Sequence, residues 1–198
     1  MNADSAIRTL LVAAMLVVLP IGIYHRLKSQ STGEKLDRRQ EGLFVLATQR
    51  PLGAAFWFGV LAWMINPALM AWSSMPVPLA LRLLGVGWFF AGCALLVWTF
   101  RSLGKNLTDT VVTRKHHTLV MDAPYRWIRH PLYSSAVLVV SAICLITANW
   151  FLLATGVAVL SVLIMRTRTE ERNLVARFGE SYQNYMTRTG RFVPKIAR

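Results

Sequence analysis

His117-Thr-Leu-Val-Met-Asp-Ala-Pro-Tyr-Arg-Trp-Ile-Arg-His-Pro-Leu-Tyr133 is a polar and aromatic run set between two long apolar segments. It brings Arg129, His130 and Pro131 to the point where the next apolar helix should begin. Proline suits the first turn of a helix, because the N–H it lacks would be unpaired there anyway. Pro131 therefore reads as a helix start with Arg129 and His130 at its mouth. Such a mouth offers free N–H groups and partial positive charge, both of which favour a bound anion. The plainer reading makes Arg129 and His130 only anchors at a membrane surface.

On either side of this stretch the chain is oily. The 198 residues are 55% hydrophobic with a mean hydropathy of +0.43, too apolar for an ordinary soluble domain of this size. Crossing a bilayer core takes roughly 20 residues of helix. Five runs approach or reach that length: Ala6–Tyr24, Gly53–Trp72, Leu79–Phe100, Pro131–Ala148 and Asn149–Met165. The last two are short and meet at Thr147-Ala148-Asn149-Trp150, which reads as a tight helical hairpin with Trp150 at the interface. The expectation is an all-α polytopic membrane protein with about five transmembrane helices. Four spans plus a re-entrant pair is the alternative.

A net charge of +13 raises the question of nucleic acid, but the distribution answers it. All but two of the 22 basic residues fall after the first run, between the third and fourth, or in the C-terminal tail. Those segments share one side if the spans alternate, while Ser73–Pro78 and the Asn149 turn carry no charge. This is the positive-inside pattern, and it sets the N-terminus outside and the C-terminus in the cytosol. The charge is topological, so no nucleic-acid partner is expected. Cys93 and Cys144 lie within separate apolar runs, which implies neither a disulfide framework nor a metal cluster. The first run lacks a basic leader and a small-residue cleavage site, so it reads as a retained helix.

Several local features follow in order. Pro20 is expected to kink or end the first helix. His25–Arg50 reads as a charged cytosolic connector, in which Gly42–Ala47 is apolar but too short to cross and should lie along the membrane surface. Asn66 and Pro67 read as a packing kink in the second run. Gly85 and Gly92, seven apart, share a helix face and permit close helix approach. Arg82 sits near the outer boundary, where it can reach headgroups. Beyond Met165 the helical pattern continues into the cytosol through Arg166–Phe178, with Gly179 as its stop. A short helix over Glu180–Thr187 would place Tyr182, Tyr185 and Met186 on one face. With the extended tail Thr189–Pro194, it should form a lid over His117–Tyr133. No linker divides the chain, so 1–198 is expected to be one domain, with 1–102 as membrane helices and 103–198 as its catalytic half.

Arg166 and Glu170 are four residues apart and share a helix face where the fifth run leaves the membrane. The plain reading is a surface ion pair of little energetic value. The sharper one is a polar pocket at the lipid boundary holding a cation, a carboxylate and the His130 imidazole, because ionisable groups at the edge of a span are candidate functional groups. Other chemistries lack their residues. The chain has no Gly-rich phosphate loop, no Cys/His metal spacing and no Ser–His–Asp set, so no metal is expected.

Read together, His117-Thr118-Leu119-Val120, Tyr125 and Arg129-His130-Pro131-Leu132-Tyr133 resemble the cofactor motif of the isoprenylcysteine carboxyl methyltransferase family. The later Arg166-Thr-Arg-Thr-Glu170-Glu171, followed by Phe178-Gly179-Glu180-Ser-Tyr182, is similar to that family too. The likeness runs from about Leu103 to Ile196. Arg-His-Pro-x-Tyr alone also occurs in membrane sterol reductases. The His-x-Leu-Val run and the Arg-x-x-x-Glu helix are what favour the methyltransferases.

The resemblance implies an integral-membrane enzyme that uses S-adenosyl-L-methionine. By that likeness the cofactor would be wrapped by His117, Thr118, Leu119, Val120, Tyr125, His130, Pro131, Leu132 and Tyr133. Glu170 would contact its methionine end, and Arg166 would face the acceptor, so that Arg166 and Glu170 form the catalytic pair. Two departures stand out. The family's glycine falls on Ala123, two positions before Tyr125, and His116 replaces another small residue. The acceptor would be a lipophilic or lipidated small molecule reached from the membrane, foremost a prenylated cysteine carboxylate. The alternatives are phospholipid amine N-methylation, NADPH-dependent reduction of a sterol-type double bond, and a non-catalytic membrane scaffold.

Overall fold

The computed structural model describes residues 3–30, 43–103 and 119–195. Its regular elements are helices: α1 (Ala3–Gln30), α2 (Leu43–Ile65), α3 (Leu79–Leu103), α4 (Pro131–Thr147), α5 (Trp150–Phe178) and α6 (Glu180–Arg188), with short 3-10 turns at Pro67–Ser73 and Ala123–Arg126. Five of these helices stand where the five apolar runs lie. Among the described residues, Ala3–His25, α3 and α5 are long and apolar enough to cross a membrane, and α4 is a shorter apolar helix of 17 residues. The 23 residues of α2 carry Gln49 and Arg50 near their start. The chain is an all-α polytopic membrane fold.

α4 is the centre of the bundle. It packs most extensively on α3, and α5 closes against both α4 and α2. Phe56 and Val60 of α2, Phe89 of α3, Ala142, Ile143 and Ile146 of α4, and Leu152 of α5 form the buried core. An apolar helix sheathed this fully needs no polar face, which is why Pro131–Thr147 shows no amphipathic stripe in its sequence. Gly92 explains the close α3–α4 approach: a Cβ there would stand 2.9 Å from Leu138 Cβ. Leu16, Val17, Phe58, Leu84 and Met165 point outward, where acyl chains rather than water would cover them.

Three local expectations need correction. Pro20 does not end α1, which runs on to Gln30. In an apolar medium an open backbone costs more than a locally bent turn, so the chain stays helical on both sides. Of Gly42–Ala47, residue 42 lies outside the described residues and the rest is no separate segment; from Leu43 the chain is already in α2, which continues through Pro51. The carbonyl that Pro51 frees belongs to exposed Ala47, beside polar Thr48–Arg50, where water can reach it. The second run also divides. α2 stops at Ile65, and Asn66 caps the following 3-10 turn by accepting from Ala68 N at 3.0 Å. Of the His25–Arg50 connector, residues 31–42 lie outside the described residues.

The α4–α5 hairpin forms as read. Ala148 takes a left-handed conformation (φ 47°) and Asn149 caps α5 by accepting from Leu152 N at 3.1 Å. The Asn149 amide also donates to Met70 O at 3.0 Å and to Ser73 Oγ at 2.8 Å, so this buried side chain ties the hairpin to the turn after α2. Exposed Trp150 meets Trp72 edge-on, centroids 5.4 Å apart.

Candidate active site

At the other end of α4 the chain arrives through the Ala123–Arg126 turn. Ala123 has φ 54°, a left-handed conformation that disfavours a Cβ and suits glycine. The family's glycine at this point thus has a backbone reason, and alanine keeps the same path with some strain. His130 precedes Pro131 with its side chain buried, and no side chain caps the first turn of α4.

Glu171 on α5 gathers the cluster. Its Oε1 accepts from Arg129 Nε at 3.0 Å and pairs with His130 Nε2 at 3.1 Å, while Oε2 accepts from Arg191 Nη2 at 2.9 Å. From Trp150 to Glu171 the helix rises roughly 31 Å, about the thickness of a bilayer core, so the carboxylate sits past the apolar layer. Burial would raise its pKa, but hydrogen bonds from His130 and Arg129 and the charges of His130 and Arg191 outweigh this and hold it down to about 2.

Glu170 turns to the next face of the helix. Its Oε2 accepts from Tyr133 OH at 2.8 Å and lies 3.9 Å from His130 Nδ1. Its side chain is 27% exposed, and among the described residues Oε1 carries no hydrogen bond. Arg166, one turn earlier, is buried and donates from Nη1 to Gln49 Oε1 of α2 at 2.7 Å.

The tail closes over these groups mainly through backbone. Arg129 N donates to Gly190 O at 2.8 Å, His130 N to Arg191 O at 3.1 Å, and Gly190 N to Trp127 O at 3.0 Å. Arg129 Nη1 reaches Met186 O at 3.1 Å and also Thr189 O. Ser134 Oγ donates to Phe192 O at 2.6 Å. From α6, Tyr182 and Tyr185 are buried beneath the lid, and Tyr185 OH donates to Tyr125 O at 2.6 Å. Burial pushes the Tyr185 hydroxyl up to about 12 against the lowering charge of Arg129. Burial, with the charges of Glu171 and Glu170, raises Tyr182 too. Neither phenol serves as a base near neutral pH.

The expected site residues divide plainly. His130, Tyr133 and Glu170 meet directly. Pro131 and Leu132 follow in the first turn of α4, and Arg166 lies one turn back along the helix that carries Glu170. Tyr125 is joined to the lid by Tyr185, and the Glu170 charge, after burial, helps raise its hydroxyl. Leu119 and Val120 are half-buried in the approach to the turn. His117 and Thr118 lie outside the described residues. Glu171, Arg191 and Gln49 were given no role from the sequence. Glu171 is adjacent to Glu170 and looks equivalent to it in one dimension. Gln49 sits 117 positions from Arg166, and no local pattern marks it.

A sequence model of the isoprenylcysteine carboxyl methyltransferase family matches residues 83–176, from α3 through the Arg166–Glu171 helix. Over that stretch the chain is similar to the isoprenylcysteine carboxyl methyltransferase family. The fold agrees: a solved structure of the eukaryotic intramembrane Ras methyltransferase, an isoprenylcysteine carboxyl methyltransferase, superposes with a TM-score of 0.61 at 18% identity, covering 99% of this chain and 69% of that one. No curated protein sequence matches the chain.

Proposed function

We propose that this protein is a membrane methyltransferase that moves a methyl group from S-adenosyl-L-methionine to the carboxylate of a lipophilic acceptor, such as a prenylated cysteine. The observation that carries the reading is Glu170. It is a part-exposed carboxylate oriented by Tyr133, four residues past a buried arginine, where α5 emerges from the apolar layer.

The residues suit the donor. S-adenosyl-L-methionine brings an ammonium, a carboxylate and an electrophilic methyl on a sulfonium. Glu170 matches the ammonium with its open oxygen. The mouth of α4, with Pro131 first and no side-chain cap, matches the carboxylate. His130, Pro131, Leu132 and Tyr133, with Tyr125, Leu119 and Val120, line the approach, and His117 and Thr118 complete the set by family likeness. The lid of α6 and the tail excludes water and holds these groups in place, and positioning is most of what a displacement of this kind requires.

Arg166 holds the acceptor's carboxylate, with Gln49 orienting the guanidinium. A carboxylate is already a nucleophile and needs no base. An amine acceptor would have to lose a proton, and the phenols nearest the lid are shifted away from that task. This favours an acid over a phospholipid amine. The one-sided basic loops support a topology with the N-terminus outside and the catalytic face cytosolic. The donor then enters from water and the acceptor from the inner leaflet. The chain acts as one domain, 1–102 scaffolding the half formed by 103–198.

Calorimetry on the purified protein with S-adenosylhomocysteine and with NADPH, followed by transfer of labelled methyl to a prenylated cysteine, tests the proposal. Binding of the homocysteine and a base-labile methyl ester on the acceptor are expected. Binding of NADPH alone, or label appearing only on phospholipid amines, would overturn it.

A further inference from the structure

Two arginines depart from the one-sided charge pattern, Arg8 and Arg82, and the fold brings them together. Both line a cavity of about 410 Å³ where α4 ends, at the opposite end of that helix from His130. The starts of α1 and α3, the turn after α2 and the α4–α5 connection enclose it, with Trp63, Pro67 and Met75 forming an apolar side. Arg82 Nε donates to Ile146 O at 3.0 Å and its Nη1 pairs with Asp4, which fixes the guanidinium against the end of α4. Arg8, one turn after Asp4 on α1 and partly buried, makes no ion pair or hydrogen bond among the described residues.

Two guanidiniums face one carboxylate, so the cavity carries a net positive charge. The starts of α1 and α3 lie on the same cavity, and a helix start carries partial positive charge. Trp72 and Trp150 lie exposed at the same end of the bundle, where such rings mark the level of lipid headgroups. Basic side chains that break a positive-inside pattern leave the other leaflet's surface with a local attraction for anions.

We infer that this cavity binds the phosphate of an anionic phospholipid, with Arg8 and Arg82 as its cationic contacts. Phosphate is a good partner for guanidinium, whose planar donors meet its oxygens in pairs. A free phosphate ion shares that chemistry but would leave the apolar side of a cavity this large unfilled. A phosphoglycerol unit fills it, with its acyl chains outside among the helices. The inference stands independently of the methyl-transfer reading, because the cavity and the Glu171 cluster lie at opposite ends of α4.

Native mass spectrometry of the full-length protein, released from nanodiscs of mixed phosphatidylglycerol and phosphatidylcholine, tests it. The wild-type protein is expected to keep phosphatidylglycerol in preference. Arg8→Gln should lower that retention about fivefold, the loss expected of one basic group at an anionic surface. Because Arg8 bonds to nothing else described, unchanged helicity by circular dichroism separates this loss from unfolding; Arg82→Lys, which keeps the charge, should retain most of the lipid. Equal retention of the two lipids, or an Arg8→Gln variant that behaves as wild type, would overturn the inference. In a second arm, inorganic phosphate is titrated into the detergent-purified protein. A response to phosphate without lipid retention would overturn the lipid assignment.

Discussion

Replacing Glu171 with glutamine removes one negative charge and keeps the side chain's shape, which isolates the clamp between α5, the His130 turn and the tail. Two guanidiniums and an imidazole converge on this carboxylate, within 3.0 Å for Arg129, 3.1 Å for His130 and 2.9 Å for Arg191. Breaking a buried pair costs about 3–5 kcal/mol, whereas an exposed one is worth about 1 kcal/mol or less. Arg129 and His130 are nearly buried and Arg191 is 31% exposed, so the cost falls at the lower end, about 3 kcal/mol, and acts on closure of the lid. Hydrogen exchange reads this directly, because the amides of Arg129 and His130 donate to Gly190 O and Arg191 O. A change of about 3 kcal/mol in local opening speeds exchange at those amides about a hundredfold, while amides in the middle of α4 stay protected. The pH dependence has a fixed sign. A folded pKa of about 2 against an ordinary 4.5 means that Glu171 contributes fully above about pH 5. That contribution fades as pH falls from there toward 2. Exchange at Arg129 and His130 within about twofold of wild type would refute Glu171 as the clamp.

Glu170→Gln is expected to weaken S-adenosylhomocysteine binding about tenfold or more by calorimetry, from loss of a charge-assisted contact, with the lid amides still protected. Arg166→Ala should leave that affinity nearly unchanged and cut turnover on a prenylated cysteine by about a hundredfold, read as product formation at saturating donor. Ala123→Gly should raise stability by about 0.5–1 kcal/mol, by relieving a left-handed alanine, and denaturant unfolding measures it. Asn149→Ala should cost about 2–3 kcal/mol in the same measurement, since it removes a helix cap and two buried hydrogen bonds, to Met70 O and Ser73 Oγ.

The membrane fold was legible because its signals are one-dimensional: runs of apolar residues, basic residues on one side, and turns at Asn149 and Gly179. The lid was legible for the same reason, as Tyr182 and Tyr185 repeat at helical spacing and both are buried. The run of α1 through Pro20 was not, because a medium without water overrides the proline signal that would end a helix in solution. The start of α2 at Leu43 was not either, because the carbonyl that Pro51 frees lies among polar residues that water reaches. The division of labour between Glu170 and Glu171 could not be read either. Adjacent helix positions differ by about 100° in direction, and only the returning tail decides which of them meets Arg191. Asn149 did carry a usable signal, a capping residue directly before an apolar helix, although its ties to Met70 and Ser73 depend on a turn almost 80 positions away.

α5 is one unbroken rod of 29 residues from the hairpin to Gly179, with Arg166, Glu170 and Glu171 toward its far end. Helices of this kind lean to match the thickness of the sheet of lipid around them. A stiff rod passes such a lean along its whole length, so the three side chains swing together while the His130 turn, seated on α4, follows its own helix. Thickness of the surrounding lipid thereby becomes a setting of the distance between α4 and the carboxylates, and rates measured in short-chain and long-chain lipids should differ even where every residue is the same.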